Sequence, residues 1–394
     1  MQTNNRNQPT CTVAIIAVTL SWLSSGAAMA QTHAPIQTEA ALKKVVSQQV
    51  DTLMSAQQIP GMAIAVLWQG KTFYYSFGKA DIAANRAVTP ETIFELGSIS
   101  KTFAGVIGAM ALERGDIKLT DPVSRHWPQL PATPWQQVNM QHLASYTAGG
   151  LPLFMPDSVT DKPSLLAYLQ QWQPQFPPGT QRVYANSSIG LFAHLAAAAG
   201  GKSYQELFSQ QFTAPLKLQQ TFLQVPKSAE AQYAWGYNEG KAVRIGTGML
   251  LDEAGAAKAS LRDVARWVQV NMQPAQVTDP ILQAGILRAQ QRYATSGQMY
   301  QGLGWEMLDY PTSLSALTAM TDPEFVRGSA ATFHVTPAAM QQNSWVHKTG
   351  ATGGFGAYAA FIPSRQVGIV LLANKRYPNH LRVQFAYQVL ENLQ

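Results

Sequence analysis

The period of the hydrophobic pattern changes several times along this chain. Leu42, Val45, Val46, Val50, Leu53 and Met54 recur every three or four residues, the spacing of one apolar helix face. Residues 62–68 and 72–77 are then short apolar and aromatic runs on either side of Gln69-Gly70, which predicts a hairpin. A second hairpin is predicted near the other end, where 358–362 and 367–373 flank Pro363-Ser364-Arg365-Gln366. Leu381, Phe385, Val389, Leu390 and Leu393 return to helical spacing and predict a closing helix. The sequence between these ends is rich in Ala, Gln and Pro and reads as helices and loops. Strands at both ends require one sheet assembled from both. The expected fold is therefore α+β or α/β, an antiparallel sheet flanked by helices with a mainly helical lobe inserted. Its expected boundaries are 31–97 and 300–394 for the sheet lobe and 98–299 for the helical lobe, with a binding site in the cleft between them.

The first thirty residues stand apart. Arg6, an apolar run over residues 12–23 and Ala28-Met29-Ala30 read as a secretory signal peptide over 1–30, cut after Ala30. The run is too short to span a membrane, so a periplasmic protein without a stable membrane span is expected. Cys11, the one cysteine, falls inside this segment and lacks the small-residue context of a lipoprotein cysteine. The mature chain then has neither disulfide nor thiolate chemistry. Its 364 residues (31–394) exceed the usual size of one domain, so two lobes are expected. Loss of Arg6 lowers the formal charge from +6 to +5, 27 basic residues against 22 acidic. That mild excess suits anionic small molecules. It is diffuse, and without a basic run nucleic-acid binding is not expected. There are no repeats, and a monomer is expected.

The chemistry lies in three short segments. Ser98-Ile99-Ser100-Lys101 places a hydroxyl and an amine three residues apart, on one face of a helix. A lysine held in a closed site gives up its proton more readily than in water and can then assist the serine. Gly97 lets the chain turn sharply into that helix, whose first N–H groups face a developing oxyanion. Tyr184-Ala185-Asn186 follows. Tyr184 beside Lys101 and Lys348 has its phenolate favoured and can act as a general base, while Asn186 offers an amide donor and acceptor. Lys348-Thr349-Gly350 presents a cation and a hydroxyl to a carboxylate. On an edge strand, this segment would let the Ala351 N–H join that of Ser98 in an oxyanion hole. Each segment alone is weak; all three in this order are a strong signal, related to the S-x-x-K, S-D-N, K-T-G set of penicillin-recognising serine enzymes.

Longer context carries a resemblance. Residues 94–103, Phe-Glu-Leu-Gly-Ser-Ile-Ser-Lys-Thr-Phe, are similar to the nucleophile segment of class C (AmpC-type) serine β-lactamases. Residues 146–153, 184–190, 301–306 and 345–356 are similar to further segments of that family, and the likeness runs from about residue 36 onward. It implies a β-lactamase/transpeptidase-like fold, no cofactor, and hydrolysis of cephalosporins and penicillins. It also implies that Ser98 is acylated, Lys101 is its partner, Tyr184 is the base and Asn186 contacts the side-chain amide. Lys348, Thr349, Gly350 and Ala351 would line the opposite wall, and Asn379 and Arg382 the substrate carboxylate side. Three residues depart from the family. Phe154 replaces a glutamine that contacts the substrate, Gly255 replaces a tyrosine bordering the side-chain pocket, and Arg376 replaces an asparagine. These bear on substrate range and not on the reaction.

Other patterns lead elsewhere. Gly200-Gly201-Lys202-Ser203 ends like a P-loop, but Ala196 holds the required first glycine, so a helix-ending turn is expected. There is no G-x-S-x-G elbow, and the seven histidines show no metal-ligand spacing, so no metal is expected. His194 reads as a packed helix residue, and His347 as structural, near Glu306. The alternatives to a β-lactamase are a D-Ala-D-Ala carboxypeptidase or serine esterase of the same fold, and a non-hydrolytic lactam or muropeptide sensor.

Overall fold

A computed structural model describes residues 35–394; the expected signal peptide, its cleavage point and Cys11 lie outside the described residues. The central sheet has ten strands: β1 Gly61–Trp68, β2 Lys71–Asp81, β3 Arg86–Ala87, β4 Arg292–Ser296, β5 Met299–Gln301, β6 Glu306–Asp309, β7 Thr332–Ala338, β8 Ser344–Ala351, β9 Gly356–Ile362 and β10 Val367–Ala373. They lie in the order β7-β4-β5-β6-β8-β9-β10-β1-β2-β3, each pair antiparallel. The β10–β1 pairing, with Val370 opposite Ala65, is the seam where the two ends of the chain meet.

Local chemistry explains the hairpins. Trp68 pairs with Lys71, so Gln69 and Gly70 alone make the turn; both have positive φ (52° and 73°), as the two-residue turn that follows strand twist requires. The later hairpin turns through Pro363–Arg365 and Gln366, whose φ of 53° closes it.

The continuous apolar run of β1 follows from burial on both faces. Ala63, Ala65 and Leu67 join the core under the inserted helices, while Met62, Ile64, Val66 and Trp68 join the core under the terminal helices. Those terminal helices are α1 Glu39–Gln57 and α6 Asn379–Leu390. The helices on the other side include α2 Ser100–Arg114, α3 Asn186–Ala199, α4 Leu261–Met272 and α5 Pro280–Ala289. From Phe103 to Ala111 helix α2 is apolar on every side because it is buried on every side, against α3 and α5. Phe103 of α2 stacks on Trp267 of α4, ring centroids 4.2 Å apart; truncating either ring costs about 3–5 kcal/mol.

Three expectations change. The closing helix ends at Leu390, and Leu393 instead forms a parallel bridge with Ile36. Strand β8 lies fifth in the sheet and not at its edge. Its partner β6 stops at the Glu306–His347 pair, however, so Lys348–Ala351 are paired on the β9 side only. His194 is not packed among its neighbours: its ring is half-exposed, beside Trp127 and 3.4 Å from Glu253. The period of α3 buries Leu191 and Leu195 and turns position 194 outward. Gly200 and Gly201 do end α3, and Ser203 caps the next short helix.

Candidate active site

Ser98 sits in a single 3-10 turn, Gly97–Ile99, that leads directly into α2. The turn is pressed against β8. A Cβ at Gly97 (φ 51°) would lie 2.4 Å from the Ala351 nitrogen, and one at Gly350 would lie 2.0 Å from the Leu96 carbonyl oxygen. Both distances are far below contact, so these positions admit glycine only. The consequence is that the Ala351 amide comes beside the Ser98 turn.

Lys101 is fully buried. Its Nζ is 2.9 Å from Ser98 Oγ, 2.6 Å from Asn186 Oδ1 and 2.6 Å from the Ala254 carbonyl oxygen. Two of these partners are carbonyls and can only accept. A neutral lysine therefore donates to Asn186 and Ala254 and turns its lone pair to the one partner that carries a proton, the Ser98 hydroxyl. Burial lowers the pKa of Lys101, and the nearby Lys348 charge adds to this, while Tyr184 and Glu306 pull the other way.

Tyr184 lies between the two lysines, its ring centre 5.1 Å from Lys101 Nζ and 4.9 Å from Lys348 Nζ. Its hydroxyl is shielded and has no partner of good hydrogen-bond geometry. Burial pushes this phenol up, but the Lys101 and Lys348 charges outweigh it and bring the pKa below its ordinary value of 10. Tyr146 packs on its other side, centroids 5.0 Å apart.

Lys348 is buried to the same degree as Lys101 but has an acid for a partner. Its Nζ is 3.2 Å from Glu306 Oε2, and Glu306 Oε1 accepts from Arg182 Nη2 at 2.8 Å. Burial works against the Lys348 charge, yet Glu306 and Tyr184 hold its pKa above the ordinary value. Glu306 in turn stays below the carboxylate range: burial raises it, and Lys348 and Arg182 more than reverse that. His347 points elsewhere, its Nδ1 3.1 Å from the Tyr358 hydroxyl, and burial pushes it down to about 4.

The remaining expected residues divide into two groups. Asn186, Ala351, Phe154, Gly255 and Arg376 line one cavity of about 820 Å³. Phe154 is 62% exposed at its mouth. Thr349 is half-buried at the end of β8, and Asn379 is half-buried at the start of α6. Arg382 is not in the lining of that cavity. It is wholly buried and donates to the carbonyls of Gly350 (2.5 Å), Ala357 and Tyr377, which braces the end of β8.

Two members of the site were not anticipated. Arg182 is two residues before Tyr184 in extended chain, a spacing that puts both side chains on one side. The Ala254 carbonyl carries no side-chain signal at all.

The antiparallel sheet between helical layers, with Ser98 at the head of α2 against β8, is of the β-lactamase/transpeptidase-like class of folds. A profile of the family described as Beta-lactamase matches residues 46–394. Relatives named Beta-lactamase include one from Escherichia coli K12, 49% identical over 90% of this chain and 94% of its own length. Others come from Yersinia enterocolitica (46%, over 90% and 92%) and Pseudomonas fluorescens (41%, over 89% and 98%). The chain belongs to the β-lactamase family.

Proposed function

We propose that this protein is a class C serine β-lactamase that hydrolyses the lactam amide of cephalosporins and penicillins and so confers resistance to them. The observation that carries this reading is the setting of the Lys101 amine, where two acceptor-only carbonyls leave Ser98 as the one proton donor. Ser98 Oγ gives its proton to the Lys101–Tyr184 pair and attacks the lactam carbonyl. The backbone N–H groups of Ser98 and Ala351 stabilise the oxyanion. Tyr184 returns the proton to the departing lactam nitrogen, leaving an ester on Ser98. A water deprotonated by Tyr184 then cleaves the ester. Asn186 binds the acyl side-chain amide, and Lys348 with Thr349 the substrate carboxylate. Gly350 permits the close approach of β8, and Asn379 and Arg382 support the carboxylate end.

The reading includes export to the periplasm by the 1–30 signal peptide, a monomer, and a cleft between a sheet lobe and a helical lobe. No helix among the described residues is long and apolar enough to cross a membrane. The test is turnover of a chromogenic cephalosporin by the purified protein and by Ser98→Ala, with intact mass followed during the reaction. Many turnovers, a transient adduct on Ser98 and loss of both in the variant are expected. A persistent one-to-one adduct without turnover overturns the reading in favour of a peptidase or sensor.

A further inference from the structure

The Ala351 nitrogen beside the Ser98 turn belongs to the last peptide unit of β8, the one that joins Gly350 to Ala351. A peptide unit is planar and trans, so its C=O and its N–H point in opposite directions. Whatever holds the Gly350 carbonyl therefore sets where the Ala351 N–H points. Arg382 holds it. Nη1 of this residue donates to the Gly350 oxygen at 2.5 Å and to the Ala357 oxygen at 3.4 Å, and Nη2 donates to the Tyr377 carbonyl.

The guanidinium is buried at a cost. Arg382 is 0% exposed, and its three partners are backbone carbonyls, none of them an acid. Burial lowers its pKa to about 10, which still leaves it a cation at neutral pH. A buried charge without an acid beside it is expensive. The sheet nevertheless makes room for it. Gly356 lies opposite Ala351 in the register, and a Cβ there would come within 2.8 Å of Arg382 Nη2 and 3.0 Å of its Cζ. A neutral side chain could fill the same space. What a cation adds is polarisation: positive charge at the carbonyl oxygen draws electrons along the peptide and leaves the N–H at its other end a stronger donor.

We propose that Arg382 is a positioning residue for the oxyanion hole, orienting and polarising the Gly350–Ala351 peptide so that the Ala351 N–H meets the charge developing on the lactam oxygen. The proposal rests on the β-lactam reading above and goes beyond it. Support of the carboxylate end acts on any bound substrate, whereas a polarised amide acts only when the oxyanion forms.

An arylboronic acid without a carboxylate tests it. Its boron accepts a bond from Ser98 Oγ, the serine proton passes to the Lys101–Tyr184 pair, and the tetrahedral anion that results sets an oxygen in the oxyanion hole. Arg382→Gln, with its thermal midpoint checked, is expected to weaken boronate binding in calorimetry about ten- to a hundredfold and to lower kcat by a similar factor. Added to Ser98→Ala, the same substitution is expected to change cephalosporin affinity by less than about twofold, since no oxyanion forms there. Gly356→Ala keeps the charge but crowds the guanidinium away from Gly350. It is expected to act in the same direction, and it serves alone if Arg382→Gln does not fold. Unchanged boronate affinity overturns the proposal, as does a boronate loss matched by an equal loss of cephalosporin affinity. With the unaltered protein, a persistent cephalosporin adduct without turnover overturns the β-lactamase reading instead, and the boronate comparison still decides the role of Arg382.

Discussion

Lys101 and Lys348 are the same residue, equally buried, on opposite walls of one site, and their pKa values move in opposite directions. On the helix wall Lys101 meets carbonyl dipoles and a hydroxyl, and desolvation wins. On the strand wall Lys348 meets the Glu306 carboxylate, and Coulomb attraction wins over the same desolvation. Burial alone therefore does not decide whether a lysine is base or cation; the charge of its nearest acceptor does. Tyr184 lies between them and is tuned by both.

Arginine breaks this comparison most sharply, since it keeps its proton wherever it is placed. Lys101→Arg should lower kcat/KM by about 10³-fold, the scale of a lost general base. Lys348→Arg keeps the required charge and should cost about tenfold, mainly in KM. Similar losses at both positions would mean that Lys101, too, works as a cation.

Glu306→Gln removes the acid that separates the two walls. It leaves Lys348 and Arg182 buried without a counter-charge, and unfolding should show a loss of about 3–5 kcal/mol. The sign with pH is fixed by the depressed Glu306 pKa. Its contribution is complete above the ordinary carboxylate value and fades as the pH falls through the folded one, so the penalty of Glu306→Gln should shrink in acid.

A smaller effect belongs to the strand wall alone. Burial holds His347 at about 4 instead of 6.5, so the unfolded chain takes up a proton that the folded one refuses. Stability should fall as pH drops from 6.5 toward 4, by about 1 kcal/mol per pH unit from this group. Denaturant titrations of His347→Gln should show a flatter acid limb; His142, also near 4, accounts for part of what remains. The smallest effect is expected at Phe154, which touches neither lysine. Phe154→Ala should change stability by less than about 0.5 kcal/mol and alter KM without moving the pH profile.

Much of this could be read from the sequence, and the limits have physical causes. The two hairpins were visible because Gln69-Gly70 and residues 363–366 interrupt short apolar and aromatic runs of strand length. Ser98, Lys101, Tyr184, Asn186 and Lys348 were visible because their chemistry resides in side chains at fixed spacing, and the fold brings them together. The edge position expected for β8 was half right, since pairing with β6 ends one residue short of Lys348. Periodicity did not show that His194 faces outward, because three apolar neighbours masked the phase of α3. The Ala254 carbonyl was invisible for another reason: a backbone acceptor has the same signature at every residue, and tertiary structure alone distinguishes one.

The seam between β10 and β1 has a consequence in time. Ser98 follows the first strands and Lys348 comes near the last, and the turn carrying one is held against the strand carrying the other by contacts far apart in sequence. A chain still lacking β9 and β10 would carry the Ser98 turn without the strand that pairs with Lys348–Ala351. The cleft is thus put together only by completion of the sheet, and no partial chain would hold both of its walls.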